Sequence, residues 1–268
     1  MKQFVRVISV RHDCAAKPAR HPREPLAAYA TRLQHHLLEH LHEAVSLALY
    51  AVRAEHGEPD ARQQPVTFVT APEFYWSVPW HALHDLREVR QLPALQIDPV
   101  CEAIAEVAAR FPAEHALETP YSRTFELADG SFVEVLKESD IAQQRATAAH
   151  ARGTHPSDRL GDVPAFGIDL CRDFLQRRGE PRCVIDFVPS YGATVTDVAF
   201  PVPRSLQYIA HNDGHAARQV AVFEVDRTRL RWTRVAPAAC MRHLGADAGE
   251  RVAIHEFTVD VPAPGGAQ

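Results

Sequence analysis

Leu26, Tyr29, Leu33, Leu37, Leu41, Val45, Leu49 and Val52 recur at steps of three and four residues, which places all eight on one stripe of a long helix. A helix with a single apolar stripe has to bury it against another element. The nearest candidate is the strand read from Met1-Lys2-Gln3-Phe4-Val5-Arg6-Val7-Ile8-Ser9-Val10. Further short β-branched and aromatic runs at 66–69, 166–170, 184–188, 220–225 and 254–261 follow, and strands alternating with helical patterns predict an α/β protein. Asp98-Pro99 predicts an N-cap and first helical position for a second helix through Phe111. Ala128-Asp129-Gly130-Ser131, between β-rich runs at 124–127 and 132–136, predicts a hairpin.

A chain of 268 residues with 46% hydrophobic content can bury a substantial core. No internal repeat or linker interrupts it, so one domain over 1–268 is expected, with a frayed Pro/Gly-rich tail at 263–268. The formal charge of -5 supplies no basic field for a phosphate backbone, which argues against nucleic acid as a partner. Charges within the first ten residues argue against a secretory signal, and no apolar run reaches membrane-spanning length. Cys14, Cys101, Cys171, Cys183 and Cys240 are odd in number and show no CxxC spacing, so a reduced, cytoplasmic chain is expected.

Three strings carry the chemistry. Val66-Thr67-Phe68-Val69 runs into Ala71-Pro72-Glu73-Phe74-Tyr75-Trp76, setting a carboxylate after a strand, among aromatics that can desolvate it and make it a better base. Lys137 stands just past the returning hairpin strand. Cys171 follows the strand ending at Leu170 and precedes a short helical stretch, 172–178, with Gly179 as its stop. A thiol at such a turn sees backbone N–H groups that lower its pKa and can donate to an oxyanion. A carboxylate base, an ammonium and a thiol are the parts needed for nucleophilic attack on a carbonyl or nitrile carbon. Each residue also has an ordinary role available, and the set carries more weight than any member.

Other classes have less behind them. His36 and His40 stand one helical turn apart near His35 and His42, but the chain has no His-Glu-x-x-His to favour a zinc hydrolase. It has no Gly-x-Ser-x-Gly elbow either.

Taken together, Ala-Pro-Glu-Phe, Asp-Gly-Ser-Phe-Val-Glu-Val-Leu-Lys and Gly-Ile-Asp-Leu-Cys-Arg-Asp resemble, in order and spacing, the Glu-Lys-Cys motifs of the nitrilase superfamily of carbon-nitrogen hydrolases. The resemblance covers roughly residues 4–190. It weakens after Val188-Pro189-Ser190, where Asn212-Asp213-Gly214 is only loosely similar to a later asparagine region. It implies a four-layer α/β/β/α sandwich and a catalytic triad of Glu73, Lys137 and Cys171, with the backbone N–H of Arg172 in the oxyanion hole. It also implies a small amide or nitrile as substrate, no metal or organic cofactor, and a homodimer or higher homo-oligomer. Amide is the preferred substrate class.

The chain departs from the family where relatives carry a second glutamate after the lysine. Here Asp140 or Glu138 is the available substitute, and the histidines of carbamoyl-amino-acid hydrolases are missing. Tyr75, Trp76 and Tyr191 flank the matched motifs and are candidate pocket walls. Arg145, Arg152 and Arg159 fall in the stretch between Lys137 and Cys171, which reads as a loop bordering the pocket and able to receive an acidic substrate. The same thioester would serve an acyltransferase, and a binding protein that kept the fold without the chemistry is the rival from a different class.

Overall fold

The computed structural model describes residues 2–57, 65–110, 115–117, 124–126, 132–134, 166–171, 174, 183–195, 202–215 and 220–261. It is an α/β structure with two main sheets. The first sheet has the order β11-β1-β2-β3, from β1 (Lys2–Val10), β2 (Val66–Thr70), β3 (His115–Leu117) and β11 (Val252–Asp260). β1, β2 and β3 are parallel and β11 is antiparallel to β1. The second has the order β10-β9-β8-β7-β6, from β6 (Phe166–Ile168), β7 (Ile185–Ser190), β8 (Tyr208–Asp213), β9 (Val220–Asp226) and β10 (Arg231–Arg234). β6, β7 and β8 are parallel, whereas β9 and β10 continue antiparallel. β4 (Thr124–Glu126) and β5 (Phe132–Glu134) form the expected hairpin.

Alternation along the central strands explains how the sheets stack. Val5 and Val7 face one way and join Phe68, Phe187, Ala210, Val222 and Phe257 in a core shared by both sheets. Ile8 and Val10 face the other way, against α1 (Leu26–His56) and α2 (Leu86–Arg110). Strands covered on both faces need near-continuous apolar sequence, as these have. The ring of Phe68 lies 4.7 Å from those of Phe166 and Phe187, and Tyr208 stacks on Phe257 at 4.3 Å. All eight residues of the α1 stripe are buried. A third apolar cluster, with Phe174, Val188, Leu206 and Ile209, covers the outer face of the second sheet. On the helix face, Arg6 bonds Glu256 directly across the β1–β11 ladder at 2.7 Å.

The second helix starts earlier than its sequence suggests. It begins at Leu86, where the Asp85 carboxylate accepts the N–H groups of Arg87 and Glu88, a side-chain cap of the usual kind. Pro93 and Pro99 both lie inside it. Val100 is buried against α1, with Leu92 and Leu95 packed beside it, and this packing overrides the proline signal that placed the start at Asp98. β3, β8 and β10 are strands that the sequence reading did not separate out. Among the described residues, no helix is long and apolar enough to cross a membrane.

Candidate active site

The C-terminal ends of the parallel strands in both sheets meet, because Asn212 at the end of β8 ties them together. Its buried amide donates to the carbonyl of Val10 at the end of β1 (3.1 Å), and to the carbonyl and hydroxyl of Thr70 at the end of β2 (3.1 and 3.2 Å). The crevice beyond the carboxyl ends of parallel strands is where α/β folds bind ligands. Glu73, Cys171 and Tyr191 all come from loops leaving these ends.

Glu73 is only 4% exposed and begins a tight turn in which Tyr75 N–H donates to Pro72 O and Ser77 N–H to Phe74 O. Phe74 has φ +64°, a left-handed conformation that costs a non-glycine residue roughly 1–3 kcal/mol. A segment following β1 grips this turn. The Cys14 thiol donates to Glu73 O at 3.1 Å. The Lys17 ammonium donates to Phe74 O, and to the carbonyl and hydroxyl of Ser77 at 2.7 and 3.1 Å. Burial pushes Cys14 up to about 12, so it stays a thiol, and pushes Lys17 down to about 8.

Cys171 is 9% exposed, with φ +47°. Its N–H donates to Pro189 O at 2.9 Å, and Asp169 N–H to Phe187 O at 2.9 Å, so the end of β6 is held beside the end of β7. Phe174, three residues on, is buried on the outer face of the second sheet. Two of the three described non-glycine residues with positive φ are thus Cys171 and the neighbour of Glu73; the third, Leu230, lies in the turn before β10. Strain of this kind persists where the surrounding structure over-determines it, and it concentrates at active sites.

The two sides are joined by a short path. Gly214 N–H donates to Ser190 O at 2.8 Å, and Cys14 N–H to Gly214 O at 2.8 Å, so the cradle of Glu73 is bonded to the segment that accepts from Cys171. Below it, Ser190 Oγ lies 2.8 Å from both His211 Nε2 and Asp213 Oδ2. The Asp213 carboxylate also accepts from Gly192 N–H (2.9 Å) and His215 N–H (2.6 Å). Burial, opposed by the charge of Asp213, lowers the pKa of His211 and favours its neutral form.

Gly214 sits in a tight contact with this cradle. A Cβ there would lie 2.6 Å from Cys14 Sγ, 3.0 Å from Pro72 Cβ and 3.1 Å from Glu73 O. Gly214→Ala is therefore expected to cost about 2 kcal/mol through overpacking, read from urea denaturation. Adding Cys14→Ala, which removes the nearest atom, should recover part of the loss. A single variant as stable as the wild type would contradict this contact.

Tyr75 and Trp76 are wholly buried among the helix-side core residues. The Tyr75 hydroxyl donates to Leu37 O at 2.7 Å and lies 3.0 Å from His40 Nδ1. They pack in the core against α1, whereas Tyr191 is 36% exposed at the strand ends. Lys137, Glu138, Asp140, Arg145, Arg152, Arg159 and Arg172 lie outside the described residues. His36 and His40 line a separate charged cavity of about 600 Å³ on the helix side, whose lining includes neither Glu73 nor Cys171. Among the described residues, no group of three or more His, Cys, Asp or Glu is arranged to hold a metal ion.

The sequence reading missed the segment from Cys14 to Lys17 and the Ser190–His211–Asp213 network. Position could have flagged the first, which leaves the end of β1 as Glu73 leaves the end of β2. Compared with models of known families, with curated proteins and with solved structures, the chain has no match.

Proposed function

We propose that this chain hydrolyses a non-peptide carbon-nitrogen bond of a small molecule, an amide by preference, through a cysteine thioester on a four-layer fold of the nitrilase type. The observation that supports the reading is a buried carboxylate, Glu73, and a left-handed cysteine, Cys171, each on a loop leaving the ends of parallel strands that Asn212 ties together. Cys171 Sγ attacks the carbonyl carbon while Glu73 accepts the thiol proton. The Lys137 ammonium and the Arg172 N–H hold the oxyanion, a contact worth about 3 kcal/mol per donor. The C–N bond then breaks, the proton on Glu73 goes to the leaving amine, and a thioester remains. Water attacks the thioester as Glu73 takes one of its protons; the acid departs, and the proton returns to the thiolate. An amine in place of water would make the enzyme an acyltransferase. The reading places the enzyme in the cytoplasm as a homodimer or larger homo-oligomer; no disulfide links the five cysteines.

Intact-protein mass spectrometry with a panel of small amides and nitriles tests the reading. A transient acyl adduct is expected on the wild type and not on Cys171→Ala. Iodoacetamide mapping at pH 8 should modify Cys171 first. Cys14 and Cys240, which burial raises to about 12 and about 11, should stay unmodified in the folded protein. No adduct, together with a Cys171 no faster than those two, would leave a binding protein as the better account.

A further inference from the structure

Three rings cluster at the strand-end edge that carries Glu73. Phe74, directly after Glu73, meets Tyr191 edge-on with centroids 5.8 Å apart, and Tyr191 meets His215 at 5.6 Å. They come from loops after β2, β7 and β8. Phe74 and Tyr191 are each 36% exposed and His215 is exposed, although large aromatics more commonly bury their faces. Asp213 holds the loops after β7 and β8 by accepting from Gly192 and His215 N–H. Lys17 fixes the Phe74 turn by donating to the carbonyls of Phe74 and Ser77. All three donor directions of its ammonium are taken up by oxygens of this turn, which leaves the rings as the surface it presents. Rigid rings set edge to face offer aromatic geometry to a further ring at no ordering cost.

Resting on the thioester reading, we infer that Phe74, Tyr191 and His215 form the specificity wall of the site and that the substrate is an amide bearing a flat, uncharged aryl group. A charged or short aliphatic group would leave these rings exposed to water.

The test compares phenylacetamide with acetamide on wild type, Tyr191→Ala and Tyr191→Phe. Wild type should favour phenylacetamide in kcat/KM, and the ratio of the two values should fall about tenfold in Tyr191→Ala and persist in Tyr191→Phe, which keeps the ring. Thioester formation at Cys171 with both amides, but an unchanged ratio in Tyr191→Ala, would overturn the wall and leave the hydrolase reading standing. Should neither amide form an adduct, the hydrolase reading falls and binding decides the wall. Phenylacetamide would then be titrated by NMR against Cys171→Ala with and without Tyr191→Ala: about tenfold weaker binding without the ring supports the aryl site, and equal or absent binding overturns it.

Discussion

Glu73→Gln is expected to lower kcat/KM for an amide substrate by about a thousandfold while leaving the folded structure intact. Gln matches Glu in shape, so the buried site stays filled and the turn from Glu73 to Trp76 keeps its contacts. Those contacts run through backbone oxygens: Cys14 donates to the carbonyl of residue 73, and Lys17 to the carbonyl of Phe74. Gln keeps both of these backbone contacts, so the turn is expected to hold while the base is lost. The amide can accept neither the thiol proton nor a proton from water, so acylation and thioester hydrolysis should both slow. Steady-state kinetics with a urea titration of the same preparation checks both halves. Activity within tenfold of wild type would remove Glu73 from the mechanism.

A second large effect is acid destabilisation centred on His255. This residue is 1% exposed on β11, opposite Val7, and strand alternation with Phe257 turns it toward the core between the sheets. Among the described residues neither ring nitrogen has a hydrogen-bond partner. Burial, with the charges of Arg234 and Arg11 adding to it, pushes its pKa down from 6.5 to about 4. The unfolded chain therefore takes up this proton before the folded one does. Stability from this group is unchanged above about pH 6.5 and falls as pH drops toward 4, by about 3 kcal/mol in total. His255→Met, similar in volume, should flatten the profile over that window and be no less stable at pH 7, where it replaces a buried polar ring with an apolar chain. Urea denaturation at pH 7 and pH 4 measures the difference. Equal slopes for variant and wild type would assign the acid sensitivity elsewhere.

Much of the helix–strand alternation could be read locally, because period and burial are coupled: the stripe from Leu26 to Val52 is the face that α1 buries. Local signals failed where packing outweighed them. Pro99 reads as a helix start, yet Val100 and Leu95 need the helix to continue so that both can pack beside α1. Tyr75 and Trp76 read as pocket walls because they neighbour Glu73. The left-handed Phe74 separates them from Glu73 and is half-exposed itself, while Tyr75 and Trp76 go to the core. A side chain's direction within a turn depends on backbone dihedrals that residue type alone does not specify.

The sequence by itself determined that Glu73 and Cys171 each leave a strand end, since a short β-branched run followed by a turn is a local property. That the loops carrying them leave strand ends tied together at one edge was decided by tertiary structure alone. It rests on Asn212 bonding Val10 and Thr70, on Gly214 fitting against Cys14 and Glu73, and on Cys171 N–H reaching Pro189 O. Most of these bonds join residues far apart in the chain. They form only when two sheets with apolar inner faces pack together and bring their strand ends to one edge, where the backbone groups that β-ladders leave unpaired must find partners.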